Sequence, residues 1–194
     1  MTDFEALRTA VIKGKRNDVT AIVQEAINRG EDINSLLDKG MIPAMREIGD
    51  KFSRNEAYVP ELLIAARAMQ AGLALIEPLI AASGRKSPGK IAIGTVKGDL
   101  HDIGKNLVAI MLKGAGYDVI DLGVNCDIAK YEEGVRQGAT IVGCSSLLTT
   151  TMPYMKDVVA HFKEKGVKVI IGGAPVTQAY ADEIGADGYS EDAN

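Results

Sequence analysis

The chain has 194 residues, of which 46% are hydrophobic and 25% charged, so it can bury a core as one large domain or two small ones and is not a disordered segment. The formal net charge is −4 and no long basic run occurs, which argues against nucleic acid and anionic membranes as partners. Aromatic residues make up only 5% and tryptophan is absent, which argues against a surface that stacks nucleic-acid bases.

The N-terminus lacks the order of a signal peptide, and no uninterrupted apolar run approaches the length of a membrane span. The two cysteines, Cys126 and Cys144, do not have the spacing of a metal site and fit a reducing compartment. These features predict a cytoplasmic protein that does not enter a membrane.

The first part of the chain, residues 2–84, predicts helices only. Asp18 is expected to cap the second helix and Gly30 to end it, whereas Pro43 predicts a kink or break in the third and Pro60 suits the first turn of the fourth. Four amphipathic helices with short connections predict a four-helix bundle, and core packing alone accounts for their stripe of Met and Leu. The predicted helices cover about 4–12, 18–30, 33–52 and 60–80.

A segment rich in Gly, Ser and Pro, residues 81–90, predicts a linker between a helical domain, residues 1–85, and an α/β domain, residues 86–194. Short apolar runs then alternate with helical patterns of about ten residues, which indicates a parallel, flavodoxin-like sheet of order 2-1-3-4-5. A covering helix is expected after the last strand, and a chain that stops at Asn194 fits a truncation. The predicted strands are 90–95, 117–121, 140–145, 167–171 and 187–189, and the predicted helices are 103–115, 128–137, 152–165 and 176–184.

Three loops of this sheet leave the same edge, at the switch point where open α/β sheets bind ligands. Glycines near the strand ends allow a ligand to approach the backbone closely. The glycine spacing around Lys105-Asn106 fits neither a phosphate-binding loop nor a dinucleotide fingerprint. The residues that these loops bring to the edge are Asp99 and His101 after strand one; Ser145, Ser146, Thr149, Thr150 and Thr151 after strand three; and Gly172, Gly173 and Ala174 after strand four.

His101 lies between two carboxylates, Asp99 and Asp102, in the loop after strand one. Imidazole is a common metal ligand, and a carboxylate such as Asp99 can fix its tautomer, while Asp102 suits the cap of the following helix. One histidine cannot hold a bare zinc ion, but a metal inside a macrocycle needs only one axial ligand of this kind. A loop histidine bonded to a nearby aspartate for local order explains the same spacing.

The segment Asp99-Leu100-His101-Asp102-Ile103-Gly104 resembles the D-x-H-x-x-G signature of cobalamin-binding domains. Residues 145–149 resemble the S-x-L-x-T segment, and Gly172-Gly173 the G-G segment, of the same family. The helical part, with Phe52, residues 58–63 and residues 66–69, is similar to the cap module of methionine synthase. The resemblance covers nearly the whole chain and points to the corrinoid proteins of three-component methyltransferase systems.

This resemblance implies cobalamin, as methylcobalamin or a related corrinoid, bound with His101 as the lower ligand of its cobalt. Asp99 and Thr151 would complete a hydrogen-bonded relay with His101, with Thr151 at the place of a serine in methionine synthase. The displaced nucleotide tail would lie beside Ser145, Thr149 and the two glycines. The cofactor-binding residues implied in the sheet domain are Gly98, Asp99, Leu100, His101, Asp102, Ile103, Gly104, Ser145, Leu147, Thr149, Gly172, Gly173 and Ala174.

In the helical cap, the resemblance implies that Phe52, Val59 and Leu62 lie over the upper face of the corrin and exclude water, whereas their periodicity alone favours ordinary bundle packing. The implied partners are a substrate-specific methyltransferase, a second methyltransferase that uses tetrahydrofolate or coenzyme M, and a reductive activase. The alternatives are a cobalamin-dependent sensor or regulatory module, the cobalamin subunit of a radical mutase, and a flavodoxin-like domain that binds no corrin.

Overall fold

The computed structural model of the chain describes residues 2–83 and 87–193. They form two compact units. One comprises residues 2–83 with Gly114–Gly116, and the other comprises Ser87–Lys113 and Tyr117–Ala193. The first unit is helical and the second is a parallel α/β sheet, so the predicted fold class is confirmed.

The helical unit buries one apolar face of each long helix. Asp3 begins the first helix, because its Oδ1 accepts hydrogen bonds of 3.0 Å from the backbone N–H groups of Glu5 and Ala6. The helices are α1 (Phe4–Ile12), α2 (Arg16–Asn28), α3 (Ile33–Ser35), α4 (Ile42–Ser53) and α5 (Val59–Ser83), with a π-helical stretch, Leu36–Met41, between α3 and α4. Their fully enclosed side chains include Leu7, Val11, Val19, Val23, Leu36, Met41, Met45, Leu62 and Ile76.

The predicted cap of the second helix is wrong. Helix α2 begins at Arg16 with Lys15 at its N-cap, and Asp18 lies inside the first turn, where its carboxylate is 3.6 Å from Lys15 Nζ. The reason is the turn before it: Gly14, at φ +66°, donates to the carbonyl of Val11 and ends α1 abruptly. The chain therefore enters α2 two residues before the expected cap.

Pro43 and Pro78, two of the three prolines of the helical unit, lie at different places in their helices. Pro43 lies in the first turn of α4, directly after the π-helical stretch, so the predicted break occurs as a widened turn just before a residue without an N–H group. Pro78 lies inside α5 and was not singled out from the sequence. Within α5, Val59–Ile76 is long and apolar enough to cross a membrane by length and composition, and Leu62 and Ile76 within it are completely enclosed.

The sheet confirms the predicted topology. All pairs are parallel in the order β2-β1-β3-β4-β5. The register pairs Thr95 with Ser145 and Ser145 with Gly172, so the last residues of β1, β3 and β4 lie in one row. The strands are β1 (Lys90–Thr95), β2 (Asp118–Asp121), β3 (Ile141–Ser145), β4 (Lys168–Gly172) and β5 (Gly188–Tyr189), and the helices are α6 (Ile103–Gly114), α7 (Ile128–Arg136), α8 (Tyr154–Lys163) and α9 (Gln178–Ile184).

Candidate functional site

The site is organised around the buried carboxylate of Asp99, in the loop that joins β1 to α6. The Asp99 side chain is 0% exposed. Its Oδ1 accepts a hydrogen bond of 3.0 Å from the backbone N–H of His101 and lies 2.8 Å from His101 Nδ1. One oxygen of the carboxylate is therefore devoted to His101.

The other oxygen of Asp99 collects donors from the loop that follows β3. The backbone N–H of Leu147 donates to Oδ2 at 2.8 Å, and that of Leu148 at 3.3 Å. The Thr151 hydroxyl also donates to Oδ2 at 2.9 Å, and the Ser146 hydroxyl lies 2.8 Å from that of Thr151 and 3.2 Å from Oδ2. The carboxylate thus joins two loops that follow neighbouring strands.

These contacts decide the charge of Asp99. Burial on its own raises the pKa of a carboxyl group, because it penalises the charged form. Here the N–H groups of His101 and Leu147, together with the His101 ring and the Thr151 hydroxyl, hold the pKa of Asp99 well below its ordinary value. Asp99 is therefore a carboxylate at neutral pH and accepts all of these hydrogen bonds.

The two nitrogens of the His101 ring have different surroundings. Its side chain is 52% exposed, although Nδ1 faces the buried carboxylate. The buried hydroxyl of Thr95 donates to the backbone carbonyl of His101 at 2.8 Å and fixes the loop from below. With Nδ1 bonded to Asp99, Nε2 is the ring nitrogen available to a ligand, and it makes no hydrogen bond to residues 2–83 or 87–193.

The loop after β2 holds the loop after β1 in place, a role that the sequence did not reveal. Asn125 Oδ1 accepts a hydrogen bond of 2.8 Å from Gly98 N, and Asn125 N donates to the carbonyl of Asp99 at 3.0 Å. Asn125 has φ +51°, a conformation that asparagine tolerates better than most residues. An asparagine in the loop after a predicted strand was the available signal.

Packing within the protein itself requires a glycine at Gly173, in the loop after β4. Its φ is +130°, and a Cβ at this position would lie 1.9 Å from the carbonyl oxygen of Ser146. Ser146 N also donates to the carbonyl of Gly172 at 3.2 Å. The glycine pair therefore lets the loop after β4 pack against the residue that contacts Asp99.

The loop of His101, the start of α6 and the loop after β3 expose an apolar rim of four side chains. Leu100 is 71% exposed and Ile103 72%, and Leu147 and Leu148 are 46% and 39% exposed. Gly104, at the start of α6, has an ordinary backbone conformation, and a Cβ there would meet nothing within 4 Å. Four exposed large apolar side chains beside a glycine that packing does not require form a surface suited to a large apolar ligand.

The structure brings Asp99, His101 and Thr151 into one hydrogen-bonded cluster and adds Ser146, which the sequence placed at this sheet edge but not among the cofactor-binding residues. Asp102 accepts at its backbone carbonyl from Asn106 N, the position of a helix N-cap, and its carboxylate accepts from the Asn106 side chain. The other implied residues lie in the three loops or at their ends: Gly98, Leu100, Ile103, Gly104, Ser145, Leu147, Thr149, Gly172, Gly173 and Ala174.

The three residues implied in the cap belong to the helical unit. Leu62 is completely enclosed, as bundle packing requires, whereas Phe52 and Val59 are half-buried. Their place above a corrin stays a prediction. In residues 2–83 and 87–193, no group of three or more His, Cys, Asp or Glu side chains converges on a point that could hold a metal ion. A single histidine with an exposed nitrogen suits instead a metal that arrives with most of its ligands.

Comparison with known proteins agrees with this geometry. Residues 89–194 match a family described as "B12 binding domain", and residues 3–77 match a second family of the same description. A corrinoid protein of Desulfitobacterium hafniense is 40% identical over 205 residues, covering 100% of this chain and 94% of its own length. Dimethylamine corrinoid protein 1 of Methanosarcina acetivorans is 42% identical, with coverages of 98% and 92%.

Solved structures give the same result. The methanol:cobalamin methyltransferase complex MtaBC of Methanosarcina barkeri matches with a TM-score of 0.85 and 28% identity, over 98% of this chain and 74% of that one. A cobalamin-binding protein of Desulfitobacterium hafniense matches with a TM-score of 0.81 and 28% identity, over 100% and 94%. The fold and site define a cobalamin-binding protein, and the chain belongs to the family of B12-binding corrinoid proteins, whose cofactor is cobalamin or a related corrinoid.

Proposed function

We propose that this protein carries a methyl group between two methyltransferases, with His101 as the lower ligand of the corrinoid cobalt. The observation that carries the proposal is the His101 ring, whose Nδ1 lies 2.8 Å from a fully buried carboxylate while half of the side chain is exposed. When bound, the corrinoid supplies a cobalt ion that can accept a methyl group and give it up.

The residues around His101 fit such a cofactor. Asp99 is ionised and oriented by donors from two loops, so it holds a proton on Nδ1 and leaves Nε2 as the ligand atom. The exposed apolar rim would cover the edge of a macrocycle and exclude water from beneath it. Thr151 restrains the carboxylate from the other loop and completes the relay with His101.

The nucleotide tail of the corrinoid would lie in the sheet unit along the loops after β3 and β4. Ser145 and Gly172 end neighbouring strands in register. Thr149 is an exposed residue with a hydroxyl group in the loop between β3 and α8. Ala174 follows the glycine pair and adds little bulk. Small side chains at adjacent strand ends let a flat base approach the backbone.

The proposed partners follow from what the relatives are. Corrinoid proteins for dimethylamine and trimethylamine are 42% and 43% identical to this chain, and the structural relative MtaBC is a complex with a methanol:cobalamin methyltransferase. We therefore propose a substrate-specific methyltransferase that acts on a small methylated compound, a second methyltransferase that uses tetrahydrofolate or coenzyme M, and a reductive activase. All three interactions would take place in the cytoplasm.

The decisive experiment is reconstitution with cobalamin, followed by electron paramagnetic resonance of the cobalt(II) form. Wild-type protein made with ¹⁵N-labelled histidine should show the splitting from one axial ¹⁵N nucleus, which distinguishes imidazole from the corrinoid's own base, and His101→Ala should lose it. His161→Ala is the matched control, since His161 is the other histidine and bonds to Glu132 and Lys165 instead. Nitrogen splitting that persists in His101→Ala but disappears in His161→Ala would overturn the ligand assignment.

The carrier role has its own measurement. Protein loaded with a labelled methyl group should deliver it to coenzyme M or tetrahydrofolate only when the matching methyltransferase is added. Retention of the label with every acceptor enzyme tried, in a protein that shows axial nitrogen ligation, would argue for a binding or regulatory protein and against a carrier.

A further inference from the structure

Lys105 is a buried cation that lies outside the hydrogen-bonded cluster of Asp99 and His101. It lies in the first turn of α6, and its side chain is 1% exposed. A lysine at this place is disfavoured twice, because burial removes its hydration and the positive end of the helix dipole lies close by. Methionine or leucine would fill the same space without either cost, so packing alone does not explain the ammonium group.

The Lys105 ammonium is held by two oxygens. Nζ donates to Asp121 Oδ1 at 2.6 Å and to Asn106 Oδ1 at 2.7 Å. Asp121 is the last residue of β2, and its Oδ1 also accepts from Gly123 N at 2.9 Å. Although burial raises the pKa of Asp121, the Lys105 and Gly123 donors outweigh it and lower the pKa, so Asp121 is a carboxylate at neutral pH.

From Lys105, one arm of hydrogen bonds leads to the residue after His101. The side chain of Asn106 is fixed at its oxygen by Lys105, and its Nδ2 donates to Asp102 Oδ2 at 3.2 Å. Asn106 N donates to the carbonyl of Asp102 at 2.8 Å. Asp102 is therefore held at both its backbone and its side chain, immediately beside His101.

The second arm reaches His101 from the opposite direction. Gly123, bonded to Asp121 through its N–H, accepts at its carbonyl from Thr95 N at 3.0 Å. The Thr95 hydroxyl donates to the carbonyl of His101 at 2.8 Å. The two arms close a ring that starts at the Lys105 ammonium and holds His101 on both sides, independently of Asp99.

We propose that Lys105 is a positioning residue for His101, acting through Asn106–Asp102 on one side and Asp121–Gly123–Thr95 on the other. The consequence for ligation rests on the proposed function, since it takes His101 as the lower ligand of cobalt. The ammonium group can donate to both oxygens at once, which a methionine of similar length cannot do. Loss of the Lys105 ammonium group should therefore leave the His101 imidazole less firmly positioned.

The test is Lys105→Met, compared with Lys113→Met, an exposed lysine on the same helix. After reconstitution with cobalamin, we expect Lys105→Met to bind about tenfold more weakly, the low end for residues that orient a metal ligand, because it acts at a distance. At saturation, part of its cobalt(II) signal should lack axial nitrogen splitting. Lys113→Met should match the wild-type protein in both measurements.

Asn106→Ala provides a second variant that breaks one arm and leaves the Lys105–Asp121 pair intact. It should show the same partial loss of nitrogen splitting, even if Lys105→Met does not fold. Full nitrogen splitting and wild-type affinity in Asn106→Ala and in a folded Lys105→Met would overturn the proposal and leave Lys105 as a buttress between α6 and β2.

The two proposals can fail separately. If the wild-type protein shows no axial nitrogen ligation, the ligand assignment for His101 fails, whatever Lys105 does. Amide hydrogen exchange in cofactor-free protein still tests the positioning role, because the His101 N–H should exchange faster in Lys105→Met than in Lys113→Met. Equal exchange of this amide in the two variants would refute it.

Discussion

Replacing Gly173 by alanine should destabilise the protein, because two independent penalties fall on one atom. The backbone at Gly173 has φ +130°, which L-residues rarely adopt, and the new Cβ would lie 1.9 Å from the Ser146 carbonyl oxygen. Backbone strain of this kind costs about 1–3 kcal/mol, and a forced shift of packed backbone costs about as much again. We therefore expect Gly173→Ala to lose about 3–5 kcal/mol of unfolding free energy.

The neighbouring glycine is the control. A Cβ on Gly172 would meet its nearest atom, the Ser190 carbonyl oxygen, at 3.6 Å, an ordinary van der Waals contact, and its φ is unexceptional. Urea denaturation followed by circular dichroism should show a large loss for Gly173→Ala and a small one for Gly172→Ala. Equal stability of the two variants would refute the reasoning.

Two further predictions concern the apolar rim and the stability of the protein in acid. Gly104→Ala should raise the free energy of unfolding by up to about 1 kcal/mol, because alanine is the better helix former. It should also weaken cobalamin binding, because the new methyl group intrudes on the apolar rim. Unchanged affinity in a titration would show that the ligand does not need this glycine. Hydrogen bonds from Lys165 and then His161 lower the pKa of Glu132 from its ordinary 4.5 to about 2. Its stabilising effect should be complete above the ordinary value and fade as the pH falls from about 4.5 toward 2, so urea midpoints of the wild type and Glu132→Gln should converge there.

The sheet unit was predictable because its signals are local and repeat. Apolar runs alternate with helical patterns, and every predicted strand or helix of this unit agrees with the structure to within two residues at each end. The helical unit was less predictable at its turns. A positive φ at Gly14 moved the start of α2 ahead of Asp18, and such a turn depends on packing that one sequence does not display.

At the candidate site, the acidic, imidazole and hydroxyl side chains could be identified from the sequence. The residues that fix the loops carrying those side chains could not. Asp99 and His101 stand two residues apart, so their pairing could be expected from spacing. Asn125 contacts that loop from the loop after β2, and Lys105 contacts Asp121 from the first turn of α6, through pairings that depend on the three-dimensional fold. Lysine at a helical position usually indicates a solvated surface, which is why a buried one escaped notice.

The Asp99 carboxylate has a consequence for the motions of the sheet edge. Its two oxygens are shared between the loop of His101 and the loop of Leu147, so opening either loop would leave a buried charge short of donors. The two loops should therefore open together, as one cooperative segment with a single free energy, although they are distant in sequence. This coupling should keep the loop that carries the half-exposed His101 ring as ordered as the loop after β3.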